Sequence, residues 1–480
     1  MKLKNKIFAG SLLLLVAIGG VSCKKYLDVN ENPLSSLKVE PKLLFGYAVT
    51  AWDVSKNSGD NYIALGFIGQ TFSSGADFSG NWGSSNLYTV NSTALGNNWK
   101  TYYSNTGFNL VTAIKLAEAK NDFNTVAQCK IVLAQVMYEA TTLYGDVPFS
   151  QAFQIEAFPY PKYDSQKDVL EGIITMLDQA VAQIDVNSTL KISDYDIFYN
   201  GNLDKWKKLA NSIKLKTLMV MVDKDPSKAA AVGALVSNPT SLISSAADNF
   251  RVLYTETTNN ENPKYRLFLG EDPLTYASKV VTDIMVPKKD PRLSRYFDKP
   301  AGETEFIGVG ANVDADKHTS TLGNYLLRKT APSLIFSYQE MLFLQAEAYA
   351  RGLGVTKNLT TAQELYKKAI IAAMNFYEVP PADITTYIDN NLVDLTKAAD
   401  PVKEIHLEQW IDLVDRPADA FVQWRRSGSD GNEVPKLTLP KDATPGPLFR
   451  RFVLSPEEIA GNPNIPTPTP VHTDKMWFDL

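Results

Sequence analysis

Cysteine and histidine are scarce in this sequence, and their scarcity argues against several kinds of chemistry. The 480 residues contain two cysteines, Cys23 and Cys129, and three histidines, His318, His406 and His472. The histidines lie far apart, and no HExxH, His-x-His or Cys-x-x-Cys pattern accompanies them, which argues against a zinc enzyme. Two cysteines do not make a disulfide framework. Cys129 lies inside an apolar helical pattern, so we expect a buried thiol there.

Motifs of common nucleophilic and nucleotide-dependent enzymes are missing as well. The sequence has no GxSxG elbow and no Walker-type loop. We therefore predict no catalytic residues, no metal and no cofactor. Spacing alone does not test the two carboxylates of a glycosidase, because 53 acidic residues provide many chance pairs. The net charge of -5 and the lack of a basic stretch argue against a nucleic-acid partner.

Only one long hydrophobic run is present, and it lies near the amino end. Three lysines precede an apolar run from Phe8 to Ile18, and small residues follow it. This order is typical of a secretory signal peptide. The run is shorter than the roughly 20 apolar residues that span a bilayer, and no second run approaches that length. We therefore predict a signal peptide over residues 1–22, with a helix over residues 5–20 of the precursor.

Cys23 stands where the apolar run stops, which is the position of the acylated residue in a lipoprotein. Acyl chains such as palmitate, several on one cysteine, anchor firmly, since each buried CH₂ adds about 0.8 kcal/mol. Gly20 stands where a large aliphatic residue is usual, so plain secretion is the alternative. The predicted domains are the signal peptide 1–22, a lipidated extended leader 23–40 and one domain over 41–480.

Helical patterns dominate the rest of the chain. Apolar residues recur at helical spacing in several segments, two of which also carry capping or stop signals. The predicted helices cover Leu43–Val54, Asn98–Ala119, Thr125–Leu143, a segment capped by Ser165 and reaching Ile184, and Leu203–Val222.

The clearest helix pair lies between residues 337 and 376. Ser337 with Glu340 forms a capping box that opens "YQEMLFLQAEAYARG", and Gly352 is a plausible left-handed terminus. Thr361 with Glu364 forms a second capping box. Small residues on the facing sides let two antiparallel helices approach closely, as in tetratricopeptide-type repeats.

Long irregular stretches separate the helix pairs. They cover about 56–97, 223–333 and 427–480, and they are rich in turn-forming residues. Long loops of this kind are uncommon unless they are functional. A rigid helical scaffold that carries such loops suits a binding protein.

Six segments of the chain match one known family in order. They are "CKKYLDVNENP", "YEATTLYGDVPFSQAF", "WKKLANSIKLKTLMVM", "YQEMLFLQAEAYARG", "EQWIDLVDRPADAFVQWRRSG" and "FRRFVLSPEEIAGNPN". Together they resemble the SusD-like (RagB-type) family of nutrient-binding outer-membrane lipoproteins, over residues 23 to about 464. The divergent branch of the family, with its longer middle, fits better than the founding starch binder.

The resemblance implies a fold, a location and a role. The fold is mainly α, a tetratricopeptide-like helix-pair scaffold with a long-loop region that contains short β-strands. Family members are lipid-anchored on the extracellular face of the outer membrane. They capture oligosaccharides or peptides and act as the lid of a SusC-like TonB-dependent transporter barrel. They are not enzymes, and no family motif assigns ligand residues to this chain.

Aromatic residues in the loops are the candidate ligand contacts, because sugars present apolar C–H faces that stack on rings. The first stretch holds Phe72, Phe78, Trp82 and Tyr88, with Asn81, Asn86 and Asn97 as amide partners and Trp99 at its border. A second stretch holds Tyr265 and Arg266, and a third holds Trp477 and Phe478. The alternative is that these rings pack the loops onto the helical body.

Two other functions stay open at this point. One is a surface-tethered glycan hydrolase, and the other is a helical-repeat lipoprotein that assembles with other proteins. The missing nucleophile and metal motifs disfavour the hydrolase. The aromatic, Gly- and Asn-rich loops favour ligand capture over assembly.

Overall fold

Most of the chain is helical in the computed structural model, which describes residues 39–74, 88, 90, 92–269, 275–389, 393–443 and 446–480. The α-helices, numbered α1 to α17 in chain order, are Pro41–Lys56, Ala64–Ile68, Ser92–Lys100, Asn109–Glu118, Phe123–Tyr144, Gln166–Gln183, Leu203–Met221, Ala229–Val236, Pro263–Leu267, Lys279–Met285, Leu293–Tyr296, Tyr338–Arg351, Leu359–Phe376, Pro381–Asp389, Pro401–Asp412, Pro417–Arg426 and Pro456–Gly461. Two π-helices cover Gly59–Ile63 and Thr101–Phe108, and 3₁₀ turns cover Pro226–Lys228, Pro239–Ser241, Ala246–Asp248 and Leu395–Lys397. The predicted precursor helix over 5–20 and Cys23 lie outside the described residues.

Capping residues set the helix ends where the sequence predicts them, with one exception. Ser165 and Ser337 each accept a hydrogen bond from the backbone N–H three residues on. Gly352 ends α12 in the left-handed region with φ 76°. The prediction of a second capping box at Thr361 is wrong. The side chain of Asn358 accepts a 3.0 Å hydrogen bond from the N–H of Thr361, so α13 begins one turn earlier.

The predicted single helix over 98–119 is also different in the structure. The helical segment begins at Ser92, and its middle part, Thr101–Phe108, is a π-helix between α3 and α4. Apolar periodicity does not distinguish an α-helix from a helix with one wider turn. A π-helical segment is rare and is often found at functional sites.

Successive helices pack against each other as pairs, which confirms the tetratricopeptide-like scaffold. The contacts run from α4 to α5, α5 to α6, α6 to α7, and α12 to α13. Ala348 of α12 and Ala362 and Ala369 of α13 are fully buried. These small side chains let the two backbones approach closely. Cys129 is buried in α5 as expected, and burial raises the pKa of its thiol.

Short antiparallel strands occupy the irregular regions, as predicted. Strands β1 (Phe72–Ser73), β3 (Tyr276–Ala277), β5 (Thr321–Leu322) and β4 (Phe297–Asp298) form one sheet in that order, and β2 (Phe250–Val252) pairs with β6 (Ser333–Phe336). The stretch 56–97, predicted as one long loop, is shorter than expected, because helical segments cover 59–68 and 92–97. None of the helices within the described residues has the length and apolarity needed to cross a bilayer.

A buried ion cluster joins α12 to the helices that follow it. Glu347 is fully buried and accepts hydrogen bonds from Arg426 at 2.5 Å and from Arg351 at 2.7 Å. His406 lies 3.1 Å from the same carboxylate. Burial alone would raise the pKa of Glu347, but Arg426 and His406 outweigh it and hold that pKa well below its ordinary value.

Candidate functional site

An open cavity of about 520 Å³ lies against the helical segment that contains the longer π-helix. We call it the aromatic groove. One wall comes from α3 and the π-helix, a second from the turn region 148–161, and a third from α17 and the residue after it. Its volume falls within the range of known ligand sites, about 300–1,000 Å³. The rings that line it are those of Trp99, Tyr103, Phe108, Phe153 and Tyr160.

The rings along the groove are stacked on one another. The centroids of Trp99 and Tyr103 lie 4.6 Å apart, and those of Tyr103 and Phe153 lie 5.7 Å apart with an angle of 28° between the planes. Tyr163 also stacks on Trp99, with their centroids 6.3 Å apart and an angle of 19° between the planes. Tyr160 adds a ring that is 55% exposed. The row therefore forms an aromatic wall of partly buried rings, beside which Tyr160 is the most exposed ring of the lining.

Local backbone geometry explains how the rings come to this position. Phe153 has φ 63°, a conformation that costs a non-glycine residue about 1–3 kcal/mol and is concentrated at functional sites. Its ring fills the space that a Cβ on Gly107 would occupy. Gly107 belongs to the π-helix, so the wider turn and the missing side chain together admit the Phe153 ring beside Tyr103.

Polar contacts at one end of the groove fix a carboxylate. The hydroxyl of Tyr163 donates to Oε1 of Glu458 at 2.9 Å, and the amide of Asn462 donates to the same oxygen at 3.2 Å. The Tyr103 hydroxyl donates to the carbonyl of Pro148 at 2.9 Å. Burial is the main cause that raises the pKa of Tyr103 and of Tyr163, with Glu458 adding to both. Both hydroxyls therefore stay protonated and keep donating.

The groove lining is mostly apolar and aromatic, with few ionisable side chains. Glu458 is the only carboxylate among the residues that line it in the described part of the chain. Cleavage of a glycosidic bond generally needs two carboxylates across the bond. Across the described ranges, no group of three or more histidine, cysteine, aspartate or glutamate side chains is arranged to hold a metal ion.

Of the predicted ligand residues, Trp99 lies in the groove and Phe72 does not. Phe72 is fully buried in β1, with its ring 5.1 Å from Tyr62 and 6.5 Å from Phe297. The expectation that Phe72 offers a stacking face is therefore corrected. Its ring packs against Gly66 of α2, where a Cβ would overlap it, so Phe72 is part of the core.

The other predicted contacts are dispersed. Tyr265 is half-buried in α9, with Nζ of Lys329 5.3 Å from its ring centroid, and it is not part of the groove. Asn97 donates to Asp60 at 2.7 Å. Several others are buried or engaged elsewhere: Tyr88 and Phe478 are buried, and Arg266 is paired with Glu261. Phe78, Asn81, Trp82 and Asn86 lie outside the described residues.

Sequence reasoning missed most of the groove. The sequence places Tyr103 in a predicted helix, Phe153 at the end of the segment "YEATTLYGDVPFSQAF" and Glu458 in the last family segment, and it predicts no role for Tyr160. The apolar side chains of Ile155, Phe158 and Tyr160 are the signal that could have indicated a surface site, because the structure shows all three exposed and exposed apolar clusters commonly mark binding sites.

Solved structures share the mainly helical fold of this chain, with its paired helices and short strands. A structure described as a chitin-binding protein is 25% identical with a TM-score of 0.79, over 92% of this chain and 100% of that one. A chitin-binding SusD homolog from Flavobacterium johnsoniae is 21% identical with a TM-score of 0.78, over 92% of this chain and 98% of that one. A SusD/RagB family protein from Bacteroides thetaiotaomicron is 19% identical with a TM-score of 0.76, over 92% and 99%.

The amino-acid sequence, compared without the structure, indicates the same family. Residues 52–447 match the SusD-like family described as "Starch-binding associating with outer membrane". No curated protein matches the sequence significantly. This chain belongs to the SusD-like family, as the six ordered segments indicated.

Proposed function

We propose that this protein captures oligosaccharides in the aromatic groove without cleaving them. It then delivers them, as a lid, to a SusC-like TonB-dependent transporter barrel. The observation that carries the proposal is the row of stacked rings in an open groove of a SusD-like chain. The names of two similar structures, both chitin-binding, support a glycan over a peptide ligand.

The chemistry of the groove fits a sugar chain. Pyranose rings present apolar C–H faces to the aromatic rings and hydroxyls at their edges. Ser104 and Glu458 lie among the lining residues and supply polar partners at the edges. The rings sit on helices and a constrained turn, so little conformational entropy is lost when a ligand binds. A chitin-type oligosaccharide is therefore the first ligand to test.

The location follows the family description and is part of the proposal. The mature chain begins at Cys23, which carries the acyl chains, and the leader 24–40 connects them to the folded body. The anchor holds the body on the extracellular face of the outer membrane. Mass spectrometry of the mature protein tests this directly. An unmodified thiol at position 23, or a different first residue, would contradict it.

Substitution of one exposed ring tests the groove. We expect Tyr160→Ala to weaken binding of a chitin hexamer about fivefold, since one aromatic stacking contact contributes about 1 kcal/mol. Tyr47→Ala is the matched control, because Tyr47 on α1 is also 55% exposed and lies outside the groove. Equal affinities in the two variants would reject the groove as the ligand site.

The loop predicted from the sequence is tested in the same titration. Trp82→Ala weakens binding if the loop that carries Phe78, Asn81 and Trp82 contributes a second contact. If Trp82→Ala binds less tightly while Tyr160→Ala binds like the wild type, the ligand site is the loop and not the groove.

The lid role needs its own experiment. We expect a transporter barrel to co-purify with the protein from outer membranes in a stoichiometric amount. A different chief partner would favour the assembly function instead. Incubation with glycan mixtures checks the absence of cleavage, since any released shorter product would argue for a hydrolase.

A further inference from the structure

Glu458 is the only acidic residue among those that line the aromatic groove in the described part of the chain, and no lysine or arginine lines the groove with it. Lys162, in the adjoining turn, is already paired with Asp164 at 3.1 Å. Two further acids, Glu156 and Glu457, lie in the same turn region and on the same helix, and both are exposed.

The position of the Glu458 carboxylate is fixed on one side only. Its Oε1 accepts from Tyr163 and from Asn462, and the amide of Asn462 is also tied to the carbonyl of Pro161 at 3.0 Å. Within the described part of the chain Oε2 accepts no hydrogen bond, and the residue is only half-buried. A held carboxylate with one free oxygen beside apolar rings is ready to accept a hydrogen bond from a donor on the ligand.

A charged donor gains most from this arrangement. An ammonium group on a sugar ring that lies along Trp99 and Tyr103 would combine stacking with attraction to Glu458. An acidic sugar would meet repulsion, because no cation in the described lining compensates its charge. The overall charge of -5 acts in the same direction.

We propose that the groove selects amino sugars that carry a free amine over their N-acetylated forms, and that Glu458 is the residue that determines this selection. The inference rests on the proposed function, since it concerns the ligand class of the same groove. It goes further in naming the charge of the ligand and the residue that recognises it.

The test compares two hexamers that differ in one substituent. The purified full chain is titrated with the N-acetylated hexamer and with the fully deacetylated hexamer at about pH 5.5, where most sugar amines are protonated. We expect the wild type to bind the amine form about fivefold more tightly at low salt, the upper range for an exposed ion pair. The preference should shrink as salt rises toward about 200 mM.

Two isosteric variants distinguish a direct contact between Glu458 and the ligand from the effect of the protein's overall negative charge. Glu458→Gln should bind both hexamers equally, while Glu457→Gln, which removes the same charge from a neighbour outside the lining, should keep the preference. If Glu458→Gln keeps it, or if Glu457→Gln loses it to the same extent, the inference is wrong. If the wild type binds neither hexamer, or if Tyr160→Ala binds the hexamers as tightly as the wild type does, the proposed groove fails first. If that binding is intact but the two hexamers bind equally, the inference alone fails.

Discussion

Replacing Gly107 by alanine tests whether the packing of one ring holds the aromatic groove in shape. A Cβ on Gly107 would overlap Cζ and Cε1 of Phe153 and would lie 2.7 Å from the carbonyl oxygen of Tyr102. The Tyr102 carbonyl is backbone of the same π-helix, so the Phe153 ring must move and the π-helix must adjust locally as well. Overpacking of this kind costs about 1–3 kcal/mol. The displaced ring also loses its stacking on Tyr103, which contributes about 1 kcal/mol.

Two measurements on Gly107→Ala check this reasoning. We expect the free energy of unfolding in urea to fall by about 1–3 kcal/mol. We also expect the affinity for a chitin hexamer to fall at least about fivefold. Gly461→Ala is the matched control, because Gly461 lines the same groove and a Cβ there meets nothing within 4 Å. If Gly107→Ala keeps both stability and affinity, the Phe153 ring does not shape the groove and the argument is refuted.

Two further substitutions test the scaffold. Glu347→Gln leaves the buried Arg426 without its countercharge and should lower the free energy of unfolding by about 3–5 kcal/mol, whereas the exposed Glu364→Gln should have little effect. The folded-state pKa of Glu347 lies well below the ordinary value of 4.5. The ionised carboxylate therefore stabilises the folded protein above pH 4.5, and this stabilisation is lost as the pH falls through the lower folded-state pKa. The free energy of unfolding of Glu347→Gln should not show this loss at acidic pH. Gly233→Ala should destabilise the protein by about 1–3 kcal/mol, despite the higher helix propensity of alanine, because a Cβ there would overlap the backbone of Gly354. If thermal denaturation shows that Gly233→Ala is more stable than the wild type, the close approach of α8 to the backbone of Gly354 does not require glycine at position 233.

The helices that could be predicted from the sequence are those whose ends are set by neighbouring residues. Ser165 and Ser337 cap their helices through a backbone N–H three residues away, and the left-handed Gly352 ends α12. Such signals are local, so the chain displays them without tertiary structure. The prediction of a capping box at Thr361 was wrong because another local signal competes with it. Asn358, three residues earlier, offers a competing oxygen that binds the N–H of Thr361.

The groove could not be predicted because its walls are distant in the chain. Trp99, Phe153 and Glu458 meet only after the helices have packed, and no sequence pattern relates positions so far apart. Phe72 shows the opposite error. Glycine, serine and asparagine around a ring suggest an exposed loop, but the Phe72 ring packs against Tyr62 and Phe297 in the core. The exposure of an aromatic side chain is therefore a tertiary property, whereas the family and the helix-pair scaffold were readable from ordered segments.

If the groove is the ligand site as proposed, shape and charge act separately in it, and the variants described above distinguish the two. The stack from Trp99 through Tyr103 to Phe153 presents a surface to any sugar with an apolar face, so Gly107→Ala should weaken every such ligand by a similar factor. Glu458 touches the stack only through Tyr163 and keeps one oxygen free, so Glu458→Gln should change which sugar binds and leave the stacking contribution intact. A groove that obtained its selectivity from ring geometry alone would show the reverse. The ratio of affinities for the two hexamers would then change in Gly107→Ala and stay constant in Glu458→Gln.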